Sequence, residues 1–249
     1  MSELQHPGAR SFEDVADLYE RVRPSYPEEA VDWLAERLRI DARSTVLDLG
    51  AGTGKLTRAF VRRAAHVIAV EPGPEMLAQL RRVVPHADAV IGAAEAIPLA
   101  DDAVDAVVCG QSFHWFRTDE AVREISRVLR PGGGLGLIWN MRDPGDPLQE
   151  EISRLLEPVV PPGRPPIRAS VAAFVDRTFG EVARHTVPFE QTLDADELVD
   201  RIFSISFVAS APQSQRSQLE QALRGLAAAG GGRIPFRYVT DAYALFNVA

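Results

Sequence analysis

Apolar and polar positions follow two rhythms along this chain. Short, nearly continuous apolar runs recur at Ser44 to Leu49, His66 to Val70, Ala87 to Ile91, Ala106 to Gly110 and Leu135 to Trp139. Runs of that length suit strands buried on both faces. Between them, apolar residues fall three or four apart. Met76, Leu77 and Leu80 share one face of Glu75 to Val84, and Ala121, Val122, Ile125, Val128 and Leu129 share one face of Thr118 to Leu129. Thr118 is placed to cap the second of these helices, and Pro131-Gly132-Gly133-Gly134 to end it. Lys55 to Arg63 reads as the first turns of another helix. Strands alternating with helices through short loops predict parallel βαβ units over residues 43–140.

The flanks keep a weaker rhythm. Residues 1–12 read as a loose arm. Phe12 to Arg23 carries Val15, Leu18, Tyr19 and Val22 on one helical face, and Pro27 is suited to begin a second helix, running to about Arg39, with Val31, Leu34 and Leu38 inward. Beyond the βαβ region, a helix is expected over Leu148 to Val159. A loop follows over Pro161, Pro162, Gly163, Pro165 and Pro166, then a helix over Ser170 to Phe179. Glu181 to Thr192 reads as extended, Asp194 to Ser204 and Gln213 to Ala229 as helices, and Pro235 to Phe246 as a final strand.

Composition narrows the function classes. A net charge of −8 and a pI of about 5.2 argue against a dedicated binder of nucleic acid or anionic membrane. Lys55 is the sole lysine among 27 basic residues. The sole cysteine, Cys109, excludes an internal disulfide and a cysteine-rich metal site, and its apolar surroundings predict a buried small hydrophobe. No apolar run approaches the roughly 20 residues that span a bilayer, and residues 1–10 lack the apolar core of a signal peptide. A cytoplasmic protein with no metal, membrane or nucleic-acid partner is expected.

The chemistry centres on Asp48-Leu49-Gly50-Ala51-Gly52-Thr53-Gly54, an apolar run that ends in an acid and a glycine turn. Glycines allow backbone approaches that a Cβ blocks, and the helix after them presents N–H groups to an acceptor. A dinucleotide fingerprint needs G-x-G-x-x-G, and Lys55 stands where its third glycine belongs. A P-loop needs glycine at Leu49 and Ser or Thr at Leu56. An acid followed by G-x-G-x-G resembles motif I of the class I S-adenosylmethionine-dependent methyltransferases. Glu71 lies 23 residues after Asp48, at the end of the second strand, where an acid can accept both ribose hydroxyls.

The resemblance extends through Gly92-Ala93-Ala94-Glu95-Ala96-Ile97-Pro98-Leu99, Asp105-Ala106-Val107-Val108 and Arg127-Val128-Leu129-Arg130-Pro131-Gly132-Gly133. These stretches are similar to the small-molecule "type 11" group. Ser112-Phe113-His114-Trp115-Phe116, Leu137-Ile138-Trp139-Asn140 and Tyr19 to Pro27 resemble its trans-aconitate-like and ubiquinone-biosynthesis-like members. The resemblance implies an α/β, Rossmann-like three-layer sandwich. Its mostly parallel seven-stranded sheet has an antiparallel last strand, with segments 182–191 and 236–246 pairing antiparallel at one edge. It also implies an N-terminal helical lid over 1–42, a cofactor-binding core over 43–142, and acceptor-side helices with the last two strands over 143–249, as one folding unit.

S-adenosyl-L-methionine is the cofactor so implied. Asp48 would serve its amino group, Gly50, Ala51, Gly52 and Thr53 its amino-acid chain and ribose, and Glu71 with Pro72 the ribose. Met76, Ala94 and Glu95 would serve the adenine, with Gln111 nearby. Tyr19 and Arg23 would reach the amino-acid end, Arg23 through a charge-assisted bond. Ala93 departs from the pattern, since family members often carry an aspartate there for the adenine amino group.

The methyl acceptor should lie above the carboxyl ends of the strands. His114 is a candidate base or hydrogen-bond partner, with a structural loop histidine as the alternative. Phe113 and Trp115 are candidate pocket walls or plain core aromatics, and Asn140 a candidate acceptor contact. Arg142, Arg164 and Arg168 flank the proline-rich loop and are candidates for an acidic acceptor, or coincidences in an arginine-rich chain. Gln111-Ser112-Phe113-His114 lacks the Asn/Asp-Pro-Pro-aromatic run of enzymes that methylate flipped bases.

The reading is a methyltransferase acting on a small-molecule acceptor, O-directed at a carboxylate or hydroxyl, as a monomer or homodimer. The alternative is a cofactor-binding sensor or partner subunit without turnover. A nicotinamide oxidoreductase is opposed by the early third glycine.

Overall fold

The computed structural model describes residues 20–116, 118–162 and 182–246. Most of the first expected helix, Tyr19 included, lies outside these residues. So do Arg164, Arg168 and the helix expected over Ser170 to Phe179.

In chain order the elements are α1 (Glu28–Arg37), β1 (Thr45–Leu49), α2 (Lys55–Phe60), β2 (His66–Glu71), α3 (Pro74–Val83), β3 (Asp88–Ile91) and β4 (Val104–Gly110). They continue with α4 (Asp119–Val128), β5 (Leu129–Arg142), α5 (Pro147–Leu156), β6 (Val182–Asp194), α6 (Ala195–Phe203), α7 (Ser206–Ala209), α8 (Gln213–Ala229) and β7 (Arg233–Phe246). The strands form one seven-stranded sheet in the order β3-β2-β1-β4-β5-β7-β6. β1 to β5 run parallel, and β7 lies antiparallel between β5 and β6. This is the mixed sheet that the sequence predicts, antiparallel last strand included.

Each sheet face carries its own core. On one side, α4 sets Ala121, Ile125 and Val128 against Leu47, Leu49, Val107 and Leu137. Thr118 caps that helix by accepting from Ala121 N. On the other side, Val31, Leu34 and Leu38, with Leu56 and Phe60 of α2, cover Val46, Val108 and Ile138. Asp194 caps α6 in a reciprocal box with Glu197, so that helix begins where the spacing places it. Cys109 is buried. No described helix is long and apolar enough to cross a membrane.

Two boundaries differ from expectation. The glycines at 132–134 do not separate helix from strand, because β5 begins at Leu129, directly after α4. Leu129 pairs with Val104 and Gly134 with Ala106, so the residues between loop out at a shift in register. Arg130 ties this loop to β4, bonding Asp105 at 2.7 Å and the carbonyls of Asp102 and Ala103. α2 stops at Phe60 instead of reaching Arg63, where the Arg63 side chain donates to the Ala59 carbonyl at 2.7 Å. The turn Phe113–Trp115 and the short α7 carry no periodicity and are new.

β6 and β7 outrun the sheet. β5 pairs only with Tyr238 to Phe246, whereas β6 pairs with β7 from Leu245 back to Arg233. The overhanging ends carry a third core, in which Leu193, Ile234, Phe236 and Tyr238 meet Ile152 of α5, Leu198 and Ile202 of α6, and Leu219 and Leu223 of α8.

Candidate functional site

Asp48 lies at the carboxyl end of β1 and is fully buried. Its Oδ2 accepts the Thr57 hydroxyl at 2.6 Å, while its Oδ1 is buried without a hydrogen-bond partner. Burial pushes the carboxyl up to about 7. Bonds from the Thr57 hydroxyl and backbone oppose that push, and the nearby charge of Glu71 adds to it. A donor at the N-terminal turn of α2 is thus spent on this carboxylate of the same chain. An ammonium group beside Oδ1 would supply the missing partner and charge.

Glu71 ends β2 and holds the glycine turn in shape. Its Oε2 accepts from Gly52 N at 2.8 Å and its Oε1 from Gly73 N at 2.9 Å. Each carboxylate oxygen carries two lone pairs, so one oxygen can accept more than one hydrogen bond. Ala51 and Thr53 are buried and Pro72 is half-buried. Gly52 has φ +56°, and a Cβ there would stand in open space, as a surface that receives a ligand requires.

Gly50 is constrained from the opposite side. Its φ is +69°, and a Cβ would lie 2.7 Å from Ser112 Cβ, while Ser112 Oγ donates to the Leu49 carbonyl at 2.8 Å. Gly50→Ala is expected to cost about 2–5 kcal/mol through strained backbone and overpacking. Urea unfolding of the cofactor-free protein measures this, and an unchanged midpoint would refute the packing account.

The turn after β3 stands beside Glu71, whose carbonyl accepts from Gly92 N at 3.3 Å. Ala94 and Met76 are buried and Glu95 is half-buried. Glu124 fixes the turn by accepting from Ile97 N at 2.8 Å. After β4, Gln111 takes a left-handed φ of +58°. Its backbone N–H reaches the Ile138 carbonyl at 3.0 Å and its Nε2 the Asn140 carbonyl at 2.8 Å, which together hold that conformation.

The acceptor-side aromatics separate. Phe113 is fully buried and meets Phe116 edge to face, so its side chain belongs to the core. His114 and Trp115 are half-buried and lie against one another. Trp139 Nε1 donates to His114 Nδ1 at 3.4 Å. Asn140 is engaged within the chain, its Nδ2 donating to the Ser25 carbonyl at 3.2 Å and its Oδ1 accepting from Thr240 at 2.8 Å.

The N-terminal segment crosses this end of the sheet. Glu20 accepts from the Thr53 hydroxyl through Oε2 and from Arg58 through Oε1, both at 2.7 Å, while Lys55 donates to its carbonyl at 2.7 Å. Burial alone would raise the Glu20 carboxyl, but the bonds from Arg58 and Thr53 outweigh it and hold the group below its ordinary value. Burial pulls Lys55 down, against the opposing charge of Glu20. Three residues on, Arg23 bonds Ser204 through Nε at 2.9 Å and through Nη2 at 3.0 Å. Tyr26 packs against Gly110, where a Cβ would come 2.6 Å from its hydroxyl.

Sequence reading missed Thr57, Ser112, Glu20 and Arg201. Thr57 and Ser112 act across contacts that have no fixed spacing. Glu20 carried a signal only in its eventual partner, the sole lysine. Arg201 lies between Leu198 and Ile202 on the apolar stripe of α6 and is 3% exposed, a polar break in that stripe that was readable.

The buried, unpartnered Asp48 Oδ1, the Glu71 carboxylate at the glycine turn and the open face of Gly52 fit a ligand with an ammonium group and a ribose. Comparisons agree. A family profile described as a methyltransferase domain matches residues 47–137. An uncharacterized methyltransferase-like protein of Schizosaccharomyces pombe is 40% identical over 224 residues, covering 86% of this chain and 84% of the relative. A malonyl-[acyl-carrier protein] O-methyltransferase of Methylococcus capsulatus is 45% identical over 96 residues, covering 36% of this chain and 35% of its own. A solved structure from Anaeromyxobacter dehalogenans, assigned to the type II methyltransferases, is 25% identical with a TM-score of 0.67, covering 90% of this chain and 97% of that one. The chain therefore belongs to the methyltransferase family, as an S-adenosylmethionine-dependent enzyme of the Rossmann-like class.

Proposed function

We propose that this enzyme methylates an oxygen of a small-molecule acceptor, at a carboxylate, in the cytoplasm. The observation that carries the choice of carboxylate is the contact between Trp139 and His114. An indole N–H can only donate, so His114 Nδ1 accepts, and the neutral ring bears its proton on Nε2. That tautomer makes His114 a hydrogen-bond donor that orients an acceptor oxygen, not a base that strips a hydroxyl. A carboxylate acceptor needs no base. The partial likeness to a malonyl-[acyl-carrier protein] O-methyltransferase supports the same reading.

When bound, the cofactor supplies the electrophilic methyl group on a sulfonium. The chain's own residues bind, orient and exclude water. Asp48 Oδ1 holds the amino group, Glu71 the ribose hydroxyls, and the turn over residues 92–97 with Met76 packs the adenine beside Ala93. Gln111 borders the reacting end. The N-terminal segment acts as a lid: Glu20 closes it over the glycine turn, and Arg23 anchors it through Ser204 to the acceptor side. Asn140 positions the lid by holding the Ser25 carbonyl.

Transfer of labelled methyl from the cofactor to a panel of carboxylic acids, hydroxylic compounds and amines tests the proposal, with label expected in base-labile esters. Tight calorimetric binding of S-adenosylhomocysteine with no transfer to any member would favour a sensor or partner subunit. His114→Ala should lower kcat about 10- to 100-fold, the range for loss of a hydrogen bond to a charged group, with cofactor affinity within twofold. The reverse pattern would remove His114 from the acceptor side.

A further inference from the structure

Half-buried Arg142 and buried Arg201 neighbour one another on the acceptor side, and neither has a counter-ion among the described residues. Arg142 ends β5 and stands in register with Tyr238 of β7. Arg201 of α6 donates from Nε to the Tyr238 hydroxyl at 2.9 Å, and its guanidinium lies 5.5 Å from the Tyr238 ring centroid and 5.7 Å from that of Phe236. Arg201 Nη1 is buried and has no hydrogen-bond partner. Arg142 Nη1 reaches the carbonyl of Gln149 at 3.3 Å. The amide of Gln149, a residue 2% exposed, is likewise unpartnered at both Nε2 and Oε1. No carboxylate of a described residue forms an ion pair with either arginine.

Buried donors without partners are rare and costly, and charged ones more so. Burial, followed by the charge of Arg201, pulls the Arg142 guanidinium down to about 10, against a smaller opposing effect of Tyr238. The pair adjoins the acceptor region. Arg142 follows Asn140 by two residues on the same strand face, and Ser204, which anchors Arg23, donates its Oγ to the Arg201 carbonyl at 2.7 Å. A guanidinium fork matches a carboxylate in plane and spacing.

We propose that Arg142 and Arg201, flanked by Tyr238 and Gln149, bind a second carboxylate of the acceptor, one that is held and not methylated. The acceptor is then a dicarboxylic acid or its half-ester. The identity of the ligand as acceptor rests on the methyl transfer proposed above; the anion site itself does not.

Calorimetry on the full chain saturated with S-adenosylhomocysteine, titrated with succinate, glutarate, their uncharged diamides and inorganic phosphate, tests the site without requiring turnover. A dicarboxylate is expected to bind and the diamides not to. Arg142→Met and Arg201→Met should each weaken dicarboxylate binding at least tenfold, while S-adenosylhomocysteine affinity, titrated separately, stays within twofold. If Arg201→Met loses S-adenosylhomocysteine binding through misfolding, Arg142→Met decides. Absence of dicarboxylate binding, equal binding by both variants, or diamides binding as tightly as the acids would overturn the proposal. Phosphate binding tenfold tighter than either acid would also overturn it. Dicarboxylate binding without methyl transfer would instead refute the carboxylate-methylating reading and leave the anion site standing.

Discussion

Asp48→Asn should flatten two pH profiles at once. In the wild-type protein the buried carboxyl has a folded-state value of about 7 against an ordinary 3.8. The folded chain therefore holds a proton that the unfolded chain releases between those values. Stability of the cofactor-free protein falls as pH rises from about 4 through 7 and is least above 7, by on the order of 4 kcal/mol from this group. Cofactor affinity should run the other way, because the proposed contact with the amino group needs the carboxylate. Only the ionised fraction binds well, so S-adenosylhomocysteine affinity should rise about fifteenfold from pH 5.5 to pH 7.0. Asparagine keeps an acceptor for Thr57 but has no charge to lose, so both slopes should vanish and affinity at pH 7 should fall about 10- to 100-fold. Urea unfolding and calorimetry across this pH range measure them. A variant that keeps the wild-type slopes would show that another group titrates.

Glu71→Ala should be the more damaging change for binding. It removes the acceptor of two backbone N–H groups, at Gly52 and Gly73, as well as the proposed partner of the ribose hydroxyls. Charged hydrogen bonds are each worth about 1.5–3 kcal/mol, so the loss of affinity should reach about 100-fold or more, together with a less stable glycine turn. Glu71→Gln separates the two contributions, because it retains one acceptor oxygen and abolishes the charge that pushes Asp48 upward. Its binding midpoint should therefore move to lower pH than in the wild-type protein. An unmoved midpoint would mean that the two carboxylates do not sense each other.

Much of this arrangement was legible because local rules carry it. The strands of the βαβ region announce themselves as apolar runs, and Thr118 as a cap. Asp48, the glycine turn and Glu71 occur at spacings that a strand, turn and helix impose. What was not legible depends on contacts between distant parts of the chain. Phe113 reads equally as a pocket wall or a core aromatic, and only its contact with Phe116 places it in the core. Asn140 reads as a candidate acceptor contact, and nothing local announces that Ser25 and Thr240 take both ends of its amide. The glycines after α4 read as a terminator, but register with Val104 draws Leu129 into the sheet first. In each case tertiary packing overrode a residue's intrinsic preference.

The overhang of β6 and β7 divides the molecule's tolerance for change. The third core touches the main sheet chiefly through the backbone of two strands, so substitutions inside it should combine additively with substitutions around Asp48 and Glu71. Changes at Ile152, Leu198 or Leu223 can reshape the ground beneath the proposed anion site at Tyr238 without disturbing Asp48, Glu71 and the glycine turn. The family profile ends at residue 137, where β5 has not yet reached that core. The matched profile thus covers the strands that carry Asp48 and Glu71 and stops short of the third core.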